Sequence, residues 1–490
     1  MTRPTQIDAR ISGRPGRDRG LGLLVLIIWL GGGVAWATEP QLRDTSTALD
    51  VEPLLATWVA EALASRPELA QRRALLQASH ERAAQAHALP DPVLSLGLQN
   101  DGFRSLQIGK MATSYVTVMA SQTLPWYGKR DQRRDLVSVE ARLAEADLTR
   151  AQLSIQADVE RGYIELLLVR DQLALLSQLD SLWAQATALA QVRYEAGDGA
   201  QSELLRAQLE QSRLKQRRLA LTAEEQRRVT LVNRLRGQPL GTPLPTQRSL
   251  SQLPEPTPTD LPALCTDAEA RSPELQKALL AVEQSQNLVA LAERDYYPDI
   301  TVTAGVMPRG TQFEPMWQAG LSVPLPVWGA SKQGRAVAEN QRRSDAALAT
   351  VTQVRELLQE RVTERQLLFE ALRQTQALYR AGLLVQSEAT VKSTLAQYQV
   401  GRISFASVLE ALTGYVGDLN VFYESLAALW RLQIAQREVS LEANPGAAPF
   451  SMGSGSVPGA NAIGTSSRPA DTGSASPGTP ASSAAAMPTM

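Results

Sequence analysis

From Lys129 to Ala196 the chain carries one glycine, Gly162, and no proline, and from Ala330 to Val400 it carries only Gly334 and Gly382. Stretches so free of helix breakers predict continuous helices, and at about 1.5 Å per residue each reaches roughly 100 Å. That length exceeds any compact domain. Leu153, Val159, Tyr163, Leu166, Leu173 and Leu182 recur at helical spacings, so the helices pack against other helices. A second helical pattern returns in each case, from Ala200 to Arg236 and from Ser404 to Glu442. The turns between, at Gly197-Asp198-Gly199 and at Gly401, become the tips of two helical hairpins.

The order of features is written twice, at an offset close to 204 residues. Ala64-Ser65-Arg66-Pro67-Glu68-Leu69 is answered by Ala270-Arg271-Ser272-Pro273-Glu274-Leu275, and Leu124-Pro125-Trp126-Tyr127-Gly128 by Leu325-Pro326-Val327-Trp328-Gly329. Tyr194-Glu195-Ala196-Gly197 is answered by Tyr398-Gln399-Val400-Gly401. Residues 38–236 form the first repeat and 263–443 the second. Between them, 237–262 hold seven prolines, a semi-rigid linker that cannot be helical.

Each repeat also holds two runs of period two. Leu94, Leu96 and Leu98 share one face against Ser95, Gly97 and Gln99; Val116, Val118 and Ala120 oppose Thr117, Met119 and Ser121. In the second repeat Ile300, Val302, Ala304 and Val306 oppose Thr301, Thr303 and Gly305, and Trp317, Ala319, Leu321 and Val323 oppose Gln318, Gly320 and Ser322. Strands of about nine residues with one apolar and one small polar face suit a tilted crossing of a bilayer. Trp126, Tyr127, Tyr296, Tyr297 and Trp328 cluster beside the strand ends, where a membrane interface favours them. The bland alternative is a pair of hairpins packed on a soluble core.

The termini read differently. Five arginines, an apolar run from Leu21 to Leu30 and Ala35-Trp36-Ala37 predict a secretory signal over 1–37, with an uncleaved anchor as the rival reading. Residues 444–490 turn to Gly, Ser, Pro and Ala, which predicts a disordered tail. A formal charge of -1 argues against nucleic acid. Two histidines and one cysteine leave no material for a metal cluster or a Ser-His-Asp centre, so neither enzyme nor cofactor is expected. His80 and His87 lack a third ligand. Met111, Met119, Met307 and Met316, in or near the strand hairpins, offer soft ligands or simply fill gaps.

Four strands cannot close by themselves, and open edges in lipid cost several kcal/mol per unpaired group. Three copies supply twelve strands, enough for a barrel with a watery lumen lined by Ser95, Gln99, Thr117, Thr301, Thr303, Gln318 and Ser322. The fold class expected is therefore mainly α with a small β part: duplicated helical hairpins forming a trimeric α-barrel, joined to a 12-stranded transmembrane β-barrel built from four strands per chain.

Over roughly residues 50 to 442, the duplicated plan, the Tyr-x-x-Gly tips and the Leu-Pro and Gly landmarks resemble the outer-membrane efflux proteins of the TolC family. The resemblance implies a passive homotrimeric duct in the outer membrane of a Gram-negative bacterium, docking with a periplasmic adaptor (membrane fusion) protein at the tips Gly197, Asp198, Gly199 and Gly401. An inner-membrane pump of the RND type completes the implied assembly. Tyr379 to Leu384, followed by Tyr398-Gln399-Val400-Gly401, looks somewhat like the heavy-metal branch. Carried over residue by residue, the family's periplasmic gate implies a hydrogen bond from Tyr398 to Glu203 and an anionic ring at Glu410. Ser407 departs from a second acidic position, and Ile403 stands where the family has a gate arginine, with Arg402 beside it. The alternative is a periplasmic adaptor or coiled-coil scaffold, although no Gly-rich β-module flanks the hairpins.

Overall fold

The computed structural model describes residues 53–246, 248–256 and 260–443. The expected signal and tail lie outside these. The described elements are helices α1 (Pro53–Ser65) and α2 (Pro67–Ala86), strands β1 (Val93–Gln99) and β2 (Tyr115–Leu124), then helices α3 (Lys129–Glu195) and α4 (Gln201–Arg236). The proline-rich segment, expected to hold no helix, makes one short 3-10 turn (Leu250–Gln252) capped by Ser249, and α5 (Leu261–Arg271) begins at its end; then come α6 (Pro273–Arg294), β3 (Ile300–Met307), β4 (Met316–Ser322), α7 (Gln333–Leu378), a π-helical turn (Tyr379–Leu383), α8 (Leu384–Gln399) and α9 (Phe405–Glu438). The fold is mainly α with a small β part.

The middle of α3 is apolar nearly all round, with Ile155, Val159, Tyr163, Ile164, Leu166, Leu167 and Leu168 all buried. A helix with that pattern needs neighbours on every side. They are α1, α4 and α9, which contribute Trp58, Val232 and Trp430 to the same core. Gly162 lets α4 approach, since a Cβ there would lie 3.0 Å from Val232 Cγ2.

The proline-rich segment packs on this core through Leu244, Leu250 and Leu253. Asp171 on α3 accepts the Leu250 amide at 2.8 Å, and Arg380 at the π turn reaches Glu255. The segment therefore ties α3 to the second repeat.

In the second repeat the long helices depart from the sequence reading by more than one residue at both outer limits. The pattern from Ala330 to Val400 starts late, at Gln333, and is interrupted by the π turn; 69 residues separate Gly128 from Gly197 but 72 separate Gly329 from Gly401, and the three extra residues, 330–332, lie in a turn ahead of α7, so that the helical span is 67 residues in each repeat. The last helix ends at Glu438 rather than Glu442, because Val439 turns left-handed (φ 53°) and the buried Arg365 of α7 draws in the carbonyls of Ala435 and Ser440.

All four strands join one antiparallel sheet in the order β1-β2-β3-β4. Every neighbouring pair registers over seven residues; the central strands β2 and β3 span 10 and 8 residues and the edge strands β1 and β4 span 7 each. That is shorter than the nine expected. β2 pairs with β3, so the two repeats meet in mid-sheet.

Candidate functional site

Alignment of the register sorts the side chains of the sheet cleanly. Leu96, Val118, Val306 and Trp317 form one cross-strand row, and Leu94, Ala120, Ala304 and Ala319 the next, all on one face. Nothing among the described residues covers that face: Leu94, Leu96, Leu98, Trp317 and Leu321 are each more than 60% exposed. An apolar patch spanning four strands calls for lipid or protein against it. The opposite face brings together Ser95, Gln99, Thr117, Thr301, Thr303, Gln318 and Ser322. Small residues there keep the surface open and polar. At the helical end of the sheet, Trp126 stacks on Tyr297 with centroids 5.4 Å apart, while Tyr127 and Trp328 stand exposed.

The far ends of the helices carry a second polar constellation. Both tips fold as the same turn, because the repeated glycine stands at the helix C-terminus in each copy. Gly197 (φ 80°) donates to the Tyr194 carbonyl and Asp198 to that of Arg193; Gly401 (φ 73°) donates to Tyr398 and Arg402 to Gln397. This is the paired bonding of a left-handed helix stop. The two tyrosines in the equivalent positions have opposite fates: Tyr194 is 43% exposed and Tyr398 is fully buried.

Tyr398 is enclosed by groups from four elements. Its hydroxyl donates to Glu203 Oε2 at 3.0 Å, and Phe405 lies edge-on to its ring at 5.6 Å. The other Glu203 oxygen accepts the Phe405 backbone amide at 3.3 Å. Glu203 on α4 thus caps the N-terminus of α9, where Ser404 stands in the cap position but makes no capping bond of its own. Above the ring lies Arg193, with its guanidinium carbon 4.8 Å from the centroid, Nη1 donating to the Tyr398 carbonyl at 3.0 Å and Nη2 to the Asp198 carbonyl at 3.2 Å. Burial, then the bond and negative charge of Glu203, push the Tyr398 hydroxyl up to about 12, with Arg193 pulling the other way. It therefore stays protonated as a donor. Trp183, Val391, Val408 and Leu412 pack around the group and seal it from water.

Arg193 and the capping role of Glu203 are the parts that sequence reading misses. Arg193 looks like one more charge on a solvated helix face. Arg402 and Glu410 are exposed and take no part in this cluster, and Gly197, Asp198 and Gly401 are exposed at the tips. No group of three or more His, Cys, Asp or Glu among the described residues is arranged to hold a metal ion.

Comparison with known proteins identifies the family and the fold. The family model for outer membrane efflux proteins matches residues 58–237 and 264–442, one segment in each repeat. The cobalt-zinc-cadmium resistance protein CzcC of Cupriavidus metallidurans is 22% identical over 359 residues, spanning 71% of this chain and 82% of that one. Among solved structures, the outer-membrane channel OprN superposes with a TM-score of 0.69 at 19% identity, covering 80% of this chain and 91% of its own. CusC superposes with a TM-score of 0.65 at 16% identity, covering 79% of this chain and 91% of its own. At these identities the structural likeness establishes the fold.

Proposed function

The chain belongs to the outer membrane efflux protein family, and from that premise we propose that it is the passive outer-membrane exit duct of a tripartite efflux system, active as a homotrimer. One observation carries the reading: a four-stranded sheet whose apolar face and two outer edges no described residue covers or pairs. In hydrocarbon the edge groups of β1 and β4 need partners, and copies of the same sheet supply them edge to edge. Three sheets close a barrel with the Ser, Thr, Gln and Gly face inward.

At the opposite end, Arg193, Glu203 and Tyr398 act as a clasp that holds the second hairpin tip against the first and keeps the periplasmic entrance closed. Arg402 and Glu410, exposed beside it, face the entrance, and three Glu410 carboxylates around the axis would attract cations. The exposed turns at Gly197-Asp198-Gly199 and Gly401 dock a periplasmic adaptor, which joins the duct to an inner-membrane pump. Opening then costs little beyond the clasp.

Heavy-metal cations are the proposed cargo, supported by the relative named for cobalt, zinc and cadmium resistance. A wide pore selects little, so the choice of ion rests with the pump. The test has two parts. Purified protein in detergent should have the mass of three chains and conduct in planar bilayers; a freely soluble monomer overturns the duct. Deleting the gene should sensitise cells to divalent metals; unchanged metal tolerance removes the cargo assignment and leaves the duct standing.

A further inference from the structure

The chain has eight methionines, and none falls in a described helix, although methionine is a good helix former and these helices are rich in leucine. Three of the four in the described residues lie on the small polar face of the sheet. Met307 on β3 and Met316 on β4 are direct partners in the register. Met119 on β2 pairs with Gly305, two residues before Met307. Gly305 leaves space for the Met119 side chain, since a Cβ there would lie 2.6 Å from Met119 Cγ. Partners across a ladder have Cβ atoms about 5 Å apart and diagonal neighbours about 7–8 Å, within reach of two thioether side chains.

Filling a gap in a core does not account for these residues. Their row-mates are Ser95, Thr117, Gln318 and glycines, on the face turned away from the apolar rows. They are nonetheless the better covered side chains: Met307 is 9% exposed and Met119 and Met316 are half-buried, whereas Trp317, next to Met316 on the apolar face, is 79% exposed. Thioethers are soft, uncharged ligands that favour soft monovalent ions over harder divalent ones.

We infer that Met119, Met307 and Met316 form a thioether site for a soft monovalent cation, of the copper(I) or silver(I) class, on the inner wall of the duct near the β3–β4 loop. The site rests on the duct reading only for its access from the lumen. Three chains would bring three such sites around one mouth. Each holds an ion through neutral sulfur alone, so binding does not depend on pH across the range where carboxylates and histidines titrate.

The test uses the full chain in detergent with Cys265→Ser, which removes the one thiol. Silver ion is the probe, and bound silver is measured by elemental mass spectrometry after gel filtration. Silver should stay with the parent and with Met111→Leu, and be lost from a protein combining Met119→Leu, Met307→Leu and Met316→Leu. Leucine keeps volume and apolarity, so the channel should still assemble and conduct. Equal silver in parent and triple variant overturns the site. If the triple variant does not assemble, Met307→Leu and Met316→Leu singly should each weaken binding, and unchanged binding in both overturns it. X-ray absorption of the silver-loaded parent should show sulfur neighbours; a shell of oxygen and nitrogen alone overturns the site, as does silver release between pH 7 and pH 5. Conductance reports the duct separately, so failure of one reading leaves the other to be judged alone.

Discussion

The guanidinium of Arg193 covers the ring of Tyr398 and, through its two Nη atoms, holds a backbone carbonyl from each hairpin tip. One side chain thereby joins the ends of both repeats. Arg193→Ala removes the stacking and both bonds, roughly 2–3 kcal/mol together, and should raise the open fraction of channels in planar bilayers. Arg193→Lys keeps the charge but loses the planar fork and should fall between the two. Identical gating in all three proteins would contradict the clasp.

Tyr398→Phe deletes one hydrogen bond to a carboxylate, an effect of about 1.5–3 kcal/mol. Combined with Glu203→Gln, it should give less than the sum of the single effects, because both changes break the same contact. Single-channel recording measures this. If the double variant leaves conductance and open probability unchanged, the clasp does not gate the pore.

Glu203 serves two hairpins, and its substitutions should separate those roles. Glu203→Gln retains an acceptor for the Phe405 amide, whereas Glu203→Ala leaves the start of α9 uncapped at a cost of about 1 kcal/mol. Amide exchange over Phe405 to Val408 should therefore quicken in the alanine variant and little in the glutamine variant. Equal protection in both would show that Glu203 is not the cap.

Local signals made much of this fold legible. Absence of Gly and Pro marked the limits of α3 and α4 within a residue, and period-two runs marked all four strands, because both patterns depend on near neighbours only. Contacts across long sequence separations were not legible. Ser404 is the residue that local rules nominate to cap α9, yet the cap comes from Glu203, across the other hairpin. Arg193 carries no mark distinguishing it from neighbouring surface arginines. Leu244, Leu250 and Leu253 lie among prolines that announce a linker, and only the assembled core shows them buried. The π turn has no proline to flag it.

Asp171 predicts a pH dependence of stability. Burial raises its carboxyl from 3.8 to about 6, opposed by the backbone amides of Leu250 and Ser251. The folded chain thus holds this proton more tightly than the unfolded chain, so the contribution to stability is whole below pH 3.8 and is lost as pH rises through about 6. Within that window stability should fall by up to about 1.4 kcal/mol per pH unit, and Asp171→Asn should flatten the profile. Thermal unfolding in detergent at stepped pH measures both. A variant profile as steep as the parent's would assign the effect elsewhere.

Gly305 sits where the two repeats meet in the sheet. A Cβ there would lie 2.5 Å from the Val118 carbonyl oxygen, a backbone atom with no room to yield, whereas one at Gly97 would rest at 3.6 Å from Thr117. Gly305→Ala should therefore cost about 3 kcal/mol and deplete assembled protein in outer-membrane fractions, while Gly97→Ala assembles normally. Comparable yields of the two variants would refute this.

In the proposed trimer, the flanks of β1 and β4 that no described residue pairs have a genetic consequence. A ring sealed only by its own copies inherits the fault of any member, so a chain crippled at one flank is not silently outvoted by its healthy siblings. Made in equal amounts with the normal chain, such a variant leaves about one ring in eight free of it. A single bad allele should therefore dominate, and the cell should lose most of its export while still making plenty of sound subunits.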